Sequence, residues 1–192
     1  MSITTTDTQT IANEPITLDE AKTQLHVTHN LDDDAITRMI FMAREEAELR
    51  ASRTFRLTVS RVRTYTGWPK CMLFDHPPLI AVDAVKYFDT DDAEQTLVST
   101  SYVLRTPTEG RGDLQWSTSP GTTLPLAYDR PDSVSVEYRT GYTTADAVPE
   151  VAKGAILMLV NALYDQSEIQ EAAAYRSTAY RILDMTDWVN YE

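Results

Sequence analysis

The sequence is poor in the residue types that most often carry chemistry. Its 192 residues include one cysteine, Cys71, and only three histidines and six glycines. A single cysteine excludes an internal disulfide and a site built from several thiolates, so the fold forms in a reducing compartment or ignores redox conditions. The chain also lacks a Ser-centred nucleophile elbow, an HExxH motif, a Walker loop and a dinucleotide fingerprint. We therefore predict a protein that is not an enzyme and that holds neither a metal nor a cofactor.

Positive charge is scarce as well. The chain has 17 Lys and Arg against 29 Asp and Glu, a net charge of −12. Sequence-specific binding of DNA or RNA needs clustered Lys and Arg that neutralise phosphates, so this function class is excluded, although DNA as a passing neighbour is not. Residues 1–14 are polar and Thr-rich, without the basic start and apolar core of a signal peptide. We expect a flexible N-terminal tail there, on a protein that is soluble and intracellular when made.

Long apolar runs are absent except for one, which lies within a predicted helix that opens after Pro149. A surface helix has a single apolar stripe, so an unbroken run of six apolar residues covers most of its circumference. The run is too short to span a membrane, which needs about 20 apolar residues. We predict that this helix is covered nearly all round, by its own bundle and by a second copy of the chain. The predicted bundle and subunit-interface residues are Ala155, Ile156, Leu157, Met158, Leu159 and Val160.

Two shorter helices are predicted near the N-terminus. Thr17 followed by Glu20 has the spacing of a capping box and opens a first helix over residues 17–27. The acidic residues 32–34 suit the start of a second helix, where free N–H groups favour negative charge. Apolar residues then recur at helical spacing along residues 36–51, rich in alanine, which indicates close packing against a neighbouring helix.

Between residues 57 and 147 the pattern changes to short strands separated by Pro and Gly. The clearest strand is at residues 133–139, where Val134, Val136 and Tyr138 alternate with polar residues. Residues 82–88 and 96–98 flank an acidic hairpin connection. Further strands are predicted at residues 57–65, 72–74, 102–105 and 114–116. Such spacing predicts a small antiparallel sandwich or open barrel.

The predicted fold class is therefore α+β. Residues 15–56 and 148–170 form a helical bundle, because helices at both ends of the sequence must meet to bury their apolar faces. Residues 57–147 are a β insertion in that bundle. Residues 171–192 form a C-terminal arm that is rich in aromatic residues, the type that dominates interface energies. We predict that the arm docks on a partner rather than on its own body, through Tyr175, Tyr180, Ile182, Leu183, Trp188 and Tyr191.

Several acidic and histidine clusters have simpler explanations than a site. His26 and His29 straddle a predicted helix end, and the aspartates after them are explained by capping rather than by metal binding. The acidic residues 89–94 lack the glycine and distal glutamate of a calcium loop, so a solvated hairpin turn explains them. Trp68 and Trp116 are predicted to pack at the edge of the β region. Arg-Gly-Asp at residues 111–113 is predicted to be a turn.

The order of the sequence motifs resembles that of the head-tail connector, or adaptor, proteins of tailed bacteriophages. The similarity covers about residues 15–167. Its motifs are PITLDEAK at residues 15–22, LHV at 25–27, HPPL at 76–79, YVL at 102–104, VEYRTGY at 136–142 and VPE at 148–150. The C-terminal part departs from the family pattern.

The resemblance implies a structural virion protein at the neck, made in the host cytoplasm. It implies a ring, usually of twelve copies, that docks on the portal protein, offers its other face to the next neck, stopper or tail protein, and continues the DNA channel. No catalysis and no cofactor are implied. The residues themselves agree with both the ring and the DNA channel. A heterologous contact between copies can close into a ring, and an acidic wall repels the phosphates of DNA.

Two other functions remain open on the sequence alone. One is a non-catalytic module that binds a protein partner through its β face. The other is a hydrolase with a carboxylate pair, which would need two carboxylates at glycosidase separation in a deep cleft.

Overall fold

The structure is a computed structural model, and it describes residues 2–5, 13–105, 111–117, 123–164 and 169–185. The chain forms two compact units: a helical unit within residues 8–57 and 142–189, and a β unit that includes residues 58–141. The helices are α1 (Leu18–Gln24), α2 (Asp33–Ala51), α3 (Glu150–Tyr164) and α4 (Ile169–Met185). The strands are β1 (Ser2–Thr5), β2 (Val59–Tyr65), β3 (Cys71–Leu73), β4 (Leu79–Phe88), β5 (Glu94–Thr96), β6 (Tyr102–Arg105), β7 (Asp113–Trp116) and β8 (Val134–Thr140). The α+β class is confirmed. None of the helices in these ranges is long and apolar enough to cross a membrane.

The N-terminus differs from the predicted flexible tail at residues 2–5, which form a strand, and at Glu14, which is buried. Ser2–Thr5 pairs antiparallel with β2, with Ser2 opposite Thr64 and Thr5 opposite Arg61. The physical reason is that β2 leaves one row of backbone N–H and C=O groups unpaired, which a further strand satisfies whatever its side chains. Residues 6–12 of the predicted tail lie outside the described residues.

The capping box at the first helix is confirmed. The Glu20 backbone N–H donates to Thr17 Oγ1 at 3.2 Å, and the Thr17 N–H donates to Glu20 Oε2 at 2.6 Å. At the second helix Asp32 occupies the N-cap position, in agreement with the prediction, but it makes no side-chain cap hydrogen bond. Its carboxylate instead accepts from the Tyr164 hydroxyl at 3.0 Å, while Asp33 and Asp34 lie in the first turn. The tertiary contact with α3 therefore replaces the local cap.

A buried ion network ties the segment before α1 to α2. Arg44 Nε lies 3.0 Å from Glu14 Oε2, and Arg44 Nη1 lies 2.7 Å from Glu48 Oε2. Burial raises the pKa of the Glu14 carboxyl more than Arg44 lowers it. Glu48 Oε1 also accepts from the N–H groups of Phe55 and Arg56, which fixes the chain as it leaves α2. Each charge of this network therefore has a partner, as low-dielectric burial requires.

The β unit contains two antiparallel sheets that share one core. Five strands pair in the order β1-β2-β8-β4-β5, and three pair in the order β3-β7-β6. The hairpin connection predicted between β4 and β5 is confirmed by pairing of Phe88 with Glu94. The core is formed mainly by Met72, Phe74, Leu79, Val85, Leu114, Val134, Val136 and Tyr138. Alternating burial along β8 follows the alternation read from its sequence.

Two sequence features of the β unit have structural explanations. The indole rings of Trp68 and Trp116 pack edge to face with centroids 5.1 Å apart, which confirms their predicted packing role. Gly112, in the Arg-Gly-Asp segment, lies so close to β4 that a Cβ atom there would come within 2.1 Å of Leu79 Cδ2. Its lack of a side chain thus serves internal packing.

Candidate assembly surfaces

The helical unit buries the seam predicted along α2. Ile36, Ile40, Ala43 and Ala47 are fully buried in one cluster with residues of α3 and α4. The small alanines let the helices approach closely, which is the physical reason for the seam. α2 and α3 run antiparallel: the Tyr164 hydroxyl at the end of α3 donates to Asp32 before α2, while the Tyr142 N–H before α3 donates to the Arg56 carbonyl beyond α2.

The six apolar residues predicted to be covered all round on α3 divide into two groups. Four of them, Ala155, Ile156, Leu159 and Val160, are completely buried in the bundle core. Leu157 and Met158 pack against that core with one side only and remain partly exposed. The part of the prediction that assigns a second copy of the chain to the remaining cover stays a prediction.

The residues predicted for the C-terminal arm lie in α4 as far as the structure describes them. Leu183 is 1% exposed and packs in the bundle core, and Ile182 packs beside it. Docking of Leu183 on a partner is therefore wrong in this conformation, because its apolar surface is already removed from water. Tyr175 is 40% exposed and remains accessible. Trp188 and Tyr191 lie outside the described residues.

Polar contacts fix α4 beside α2. Glu46 accepts a hydrogen bond from the Tyr180 hydroxyl at 2.6 Å and pairs with Arg176 at 2.8 Å. Arg50 pairs with Asp184 through both of its forked nitrogens. The hydrogen bond with Glu46, more than burial, raises the pKa of Tyr180, so the phenol stays protonated and donates. The pairing with Arg50 lowers the pKa of Asp184.

The helical unit also has apolar residues on its outer side that the sequence reading missed. Met42 and Leu49 of α2 are 55% and 82% exposed, and they border a groove of about 580 Å³ toward Tyr180. Met158 and Tyr175 border a second groove, of about 320 Å³, between α3 and α4. The signal was present in the sequence, because Met42 and Leu49 are seven residues apart and off the alanine seam.

The β unit carries a smaller apolar surface on the outer face of its three-stranded sheet. Leu73 of β3 is 52% exposed and Val103 of β6 is 56% exposed. Cys71 is exposed on the same face as Leu73, two residues before it. Arg105 and Asp113 form an ion pair at 2.8 Å beside these residues. Exposed apolar residues rimmed by charge are typical of a protein contact surface.

The described residues contain no group of three or more His, Cys, Asp or Glu side chains that could hold a metal ion. The acidic hairpin tip is held by hydrogen bonds of its own. Asp89 Oδ1 accepts from the N–H groups of Asp91 and Ala93, each at 3.0 Å, and these bonds lower the pKa of Asp89. The carboxylate thus serves the turn.

Comparison with known proteins supports the resemblance read from the sequence. The family model of phage gp6-like head-tail connector proteins matches residues 15–104. No curated protein matches the chain by sequence. The similarity to head-tail connectors is confirmed, and it is a similarity to structural proteins rather than to enzymes.

Solved structures of similar fold come from gene transfer agent (GTA) particles. A chain in the neck of an empty GTA particle, computed with C6 symmetry, has a TM-score of 0.77 and 16% identity, and the match covers 100% of this chain and 97% of that chain. A chain in the native GTA virion has a TM-score of 0.71 and 16% identity, with 93% and 94% covered. A chain in the neck of the native particle, computed with C12 symmetry, has a TM-score of 0.69 and 15% identity, with 92% and 95% covered.

Proposed function

We propose that this protein is a structural virion protein of the neck, where it forms a ring that connects the head to the tail. The observation that carries the proposal is the fold likeness over the whole chain to a chain from a particle neck, together with the connector family match at residues 15–104. Twelve copies form the ring in this proposal, in keeping with the C12 symmetry of one similar neck. A cyclic ring of one chain uses a heterologous contact, in which two different surfaces of each copy meet.

We attribute the passage of DNA through the channel without tight binding to the net negative charge of the chain. DNA that passes through a neck must slide without binding, and a chain with a net charge of −12 offers few cations to its phosphates. Most Arg side chains of the described residues are engaged with acids, as in the pairs of Arg130 with Asp132 and Arg139 with Asp83. The duplex therefore meets a surface with low affinity for it.

We assign the portal contact to α4 and to the C-terminal residues that follow it. Tyr175 supplies an accessible aromatic side chain there, and Trp188 and Tyr191 follow α4 in the sequence. Tyr180 and Ile182 support the docking of α4 on the bundle and contribute indirectly. Aromatic residues at partly exposed positions are the usual energetic centres of interfaces.

We assign the contact with the next neck or tail protein to the β unit. Leu73 and Val103 give its three-stranded sheet an apolar outer face, which a partner could cover. This assignment also accounts for the binding-module alternative, because the same face would serve either role.

The test uses particles assembled with and without this chain. Heads that lack the protein should remain unjoined to tails, and added protein should restore joining. Truncation after Met185 removes Trp188 and Tyr191 while leaving α4 intact, so it should give folded protein with reduced joining. Truncation within α4 is unsuitable, because it removes Leu183 from the core. Purified particles that contain no copy of this chain would contradict the proposal.

A further inference from the structure

We propose that neighbouring copies in the ring meet through α2 of one copy and α3 of the next, with Met42 and Leu49 seated on Met158 and Val151. The occupant of the exposed α2 face is thus a second copy of this chain. The inference rests on the proposed ring and names the surfaces that build it.

The first step is that the two surfaces are different parts of the chain, one on α2 and one on α3. α2 buries Ile36, Ile40, Ala43 and Ala47 against the bundle, so its outer stripe, with Met42 and Leu49, lies on the far side of the helix. α3 buries its own core residues in the same cluster and leaves Val151 46% exposed on its outer side. Two different surfaces of one copy, each with exposed apolar residues, are what a closed heterologous ring requires.

The second step is the spacing of the apolar residues. Met42 and Leu49 are seven residues apart, as are Val151 and Met158, and each interval is about 10.5 Å along a helix. α2 and α3 run antiparallel within one copy, and twelvefold symmetry rotates one copy onto the next by only about 30°. The helices therefore stay nearly antiparallel across the contact. In that direction Met42 aligns with Met158 while Leu49 aligns with Val151.

The third step is Gly154, which lies midway between Val151 and Met158. Glycine inside a helix costs up to about 1 kcal/mol relative to alanine. Nothing within its own chain explains the glycine, since a Cβ atom there would meet no atom within 4 Å among the described residues. A second helix that packs closely against this point would explain it, because the missing side chain leaves room for the residues between Met42 and Leu49.

The fourth step is charge. With Leu49 on Val151, the same alignment brings Arg50 of one copy to the level of Glu150 of the next. The Arg50 side chain is 46% exposed and the Glu150 side chain is 84% exposed, so both are accessible. Opposite charges thus lie beside the Leu49–Val151 pair, and such complementarity fixes the register of a contact.

The test is a disulfide between two different single-cysteine proteins. Both carry Cys71→Ser, which removes the native thiol; one carries Leu49→Cys and the other Val151→Cys. Because each chain then has one cysteine, a mixed disulfide forms only between copies. Particles assembled from the mixture and oxidised should give the linked pair at a yield about tenfold above a control pair, since disulfides need Cα atoms within about 7 Å. The control replaces Leu49→Cys by Leu31→Cys, which is equally exposed but lies before α2.

A second pair of variants tests the same contact without cysteines. Gly154→Leu should leave the far-UV circular dichroism unchanged, because the side chain enters open space, yet lower head-to-tail joining about tenfold or more. Ser177→Leu adds the same bulk to an exposed position of α4 and should join heads to tails normally.

The outcomes separate the two proposals. Particles that contain both single-cysteine proteins but give no Leu49–Val151 link would overturn this contact and leave the neck role intact. A link from position 49 to another virion protein would likewise overturn it, by naming a different occupant. Absence of the chain from particles would instead overturn the proposed function.

Discussion

Replacing Leu183 tests whether α4 docks on its own bundle as the structure describes. Leu183 is 1% exposed, so Leu183→Ala removes three buried carbons, and at about 0.8 kcal/mol each this is a loss of about 2.4 kcal/mol. The cavity left behind raises the expected destabilisation to about 3 kcal/mol. For a chain of this length, 1 kcal/mol shifts the melting temperature by about 2–4 °C, so a shift of about 6–12 °C is expected.

The assay is thermal and urea unfolding followed by circular dichroism at 222 nm, which reports the helical unit. Met185→Ala is the matched control, because Met185 lies in the same last turn of α4 and is 78% exposed. It should unfold within about 0.5 kcal/mol of the wild type. Equal stability of Leu183→Ala and the wild type would refute the docking of α4 and would return Leu183 to the set of residues open to a partner.

Three further predictions concern the ion network, the α2–α4 ion pair and the β unit. Glu14→Ala leaves Arg44 with one buried acid fewer, so urea unfolding should show a loss of about 3 kcal/mol, and a loss below 1 kcal/mol would contradict the network. Asp184→Asn should lower the free energy of unfolding at pH 7, because the ion pair with Arg50 stabilises only the ionised carboxylate. The difference between variant and wild type should vanish as the pH falls below the ordinary aspartate pKa of about 3.9 and through the lowered pKa of Asp184. A difference that is independent of pH would argue against the ion pair. Gly112→Ala forces Leu79 aside and should cost about 1–3 kcal/mol, measured by tryptophan fluorescence of the β unit, whereas an unchanged midpoint would contradict the close approach.

Elements with a strong local signal were predictable from the sequence. The capping box formed by Thr17 and Glu20, which are three residues apart, fixes the start of α1. The strand β8 follows from the strict alternation of apolar and polar residues. The predicted strand at residues 102–105 has the observed bounds. β1 could not be predicted, since its pairing satisfies the backbone of β2 and four residues are too few for a distinctive side-chain pattern.

The assembly surfaces were only partly predictable. The apolar run at residues 155–160 indicated a helix with unusual cover, but burial depends on which neighbours reach each side of it. The sequence predicted a C-terminal arm separate from the bundle, because the aromatic residues of that segment are typical of interfaces. In the structure Leu183 of the same segment packs in the core of the bundle. Met42 and Leu49 passed as ordinary helix residues until their exposure was known.

The sequence by itself determined the α+β class, the order of helices and strands, the connector resemblance and the excess of negative charge. These properties reside in local spacing, capping and composition, which need no knowledge of distant contacts. Only the tertiary structure decided which face of α3 remains open, that α4 packs on α2 through Glu46 and Arg50, and that Gly154 faces open space. Those facts depend on residues far apart in the chain, and an apolar side chain has the same appearance in a sequence whether its own fold or a neighbour covers it.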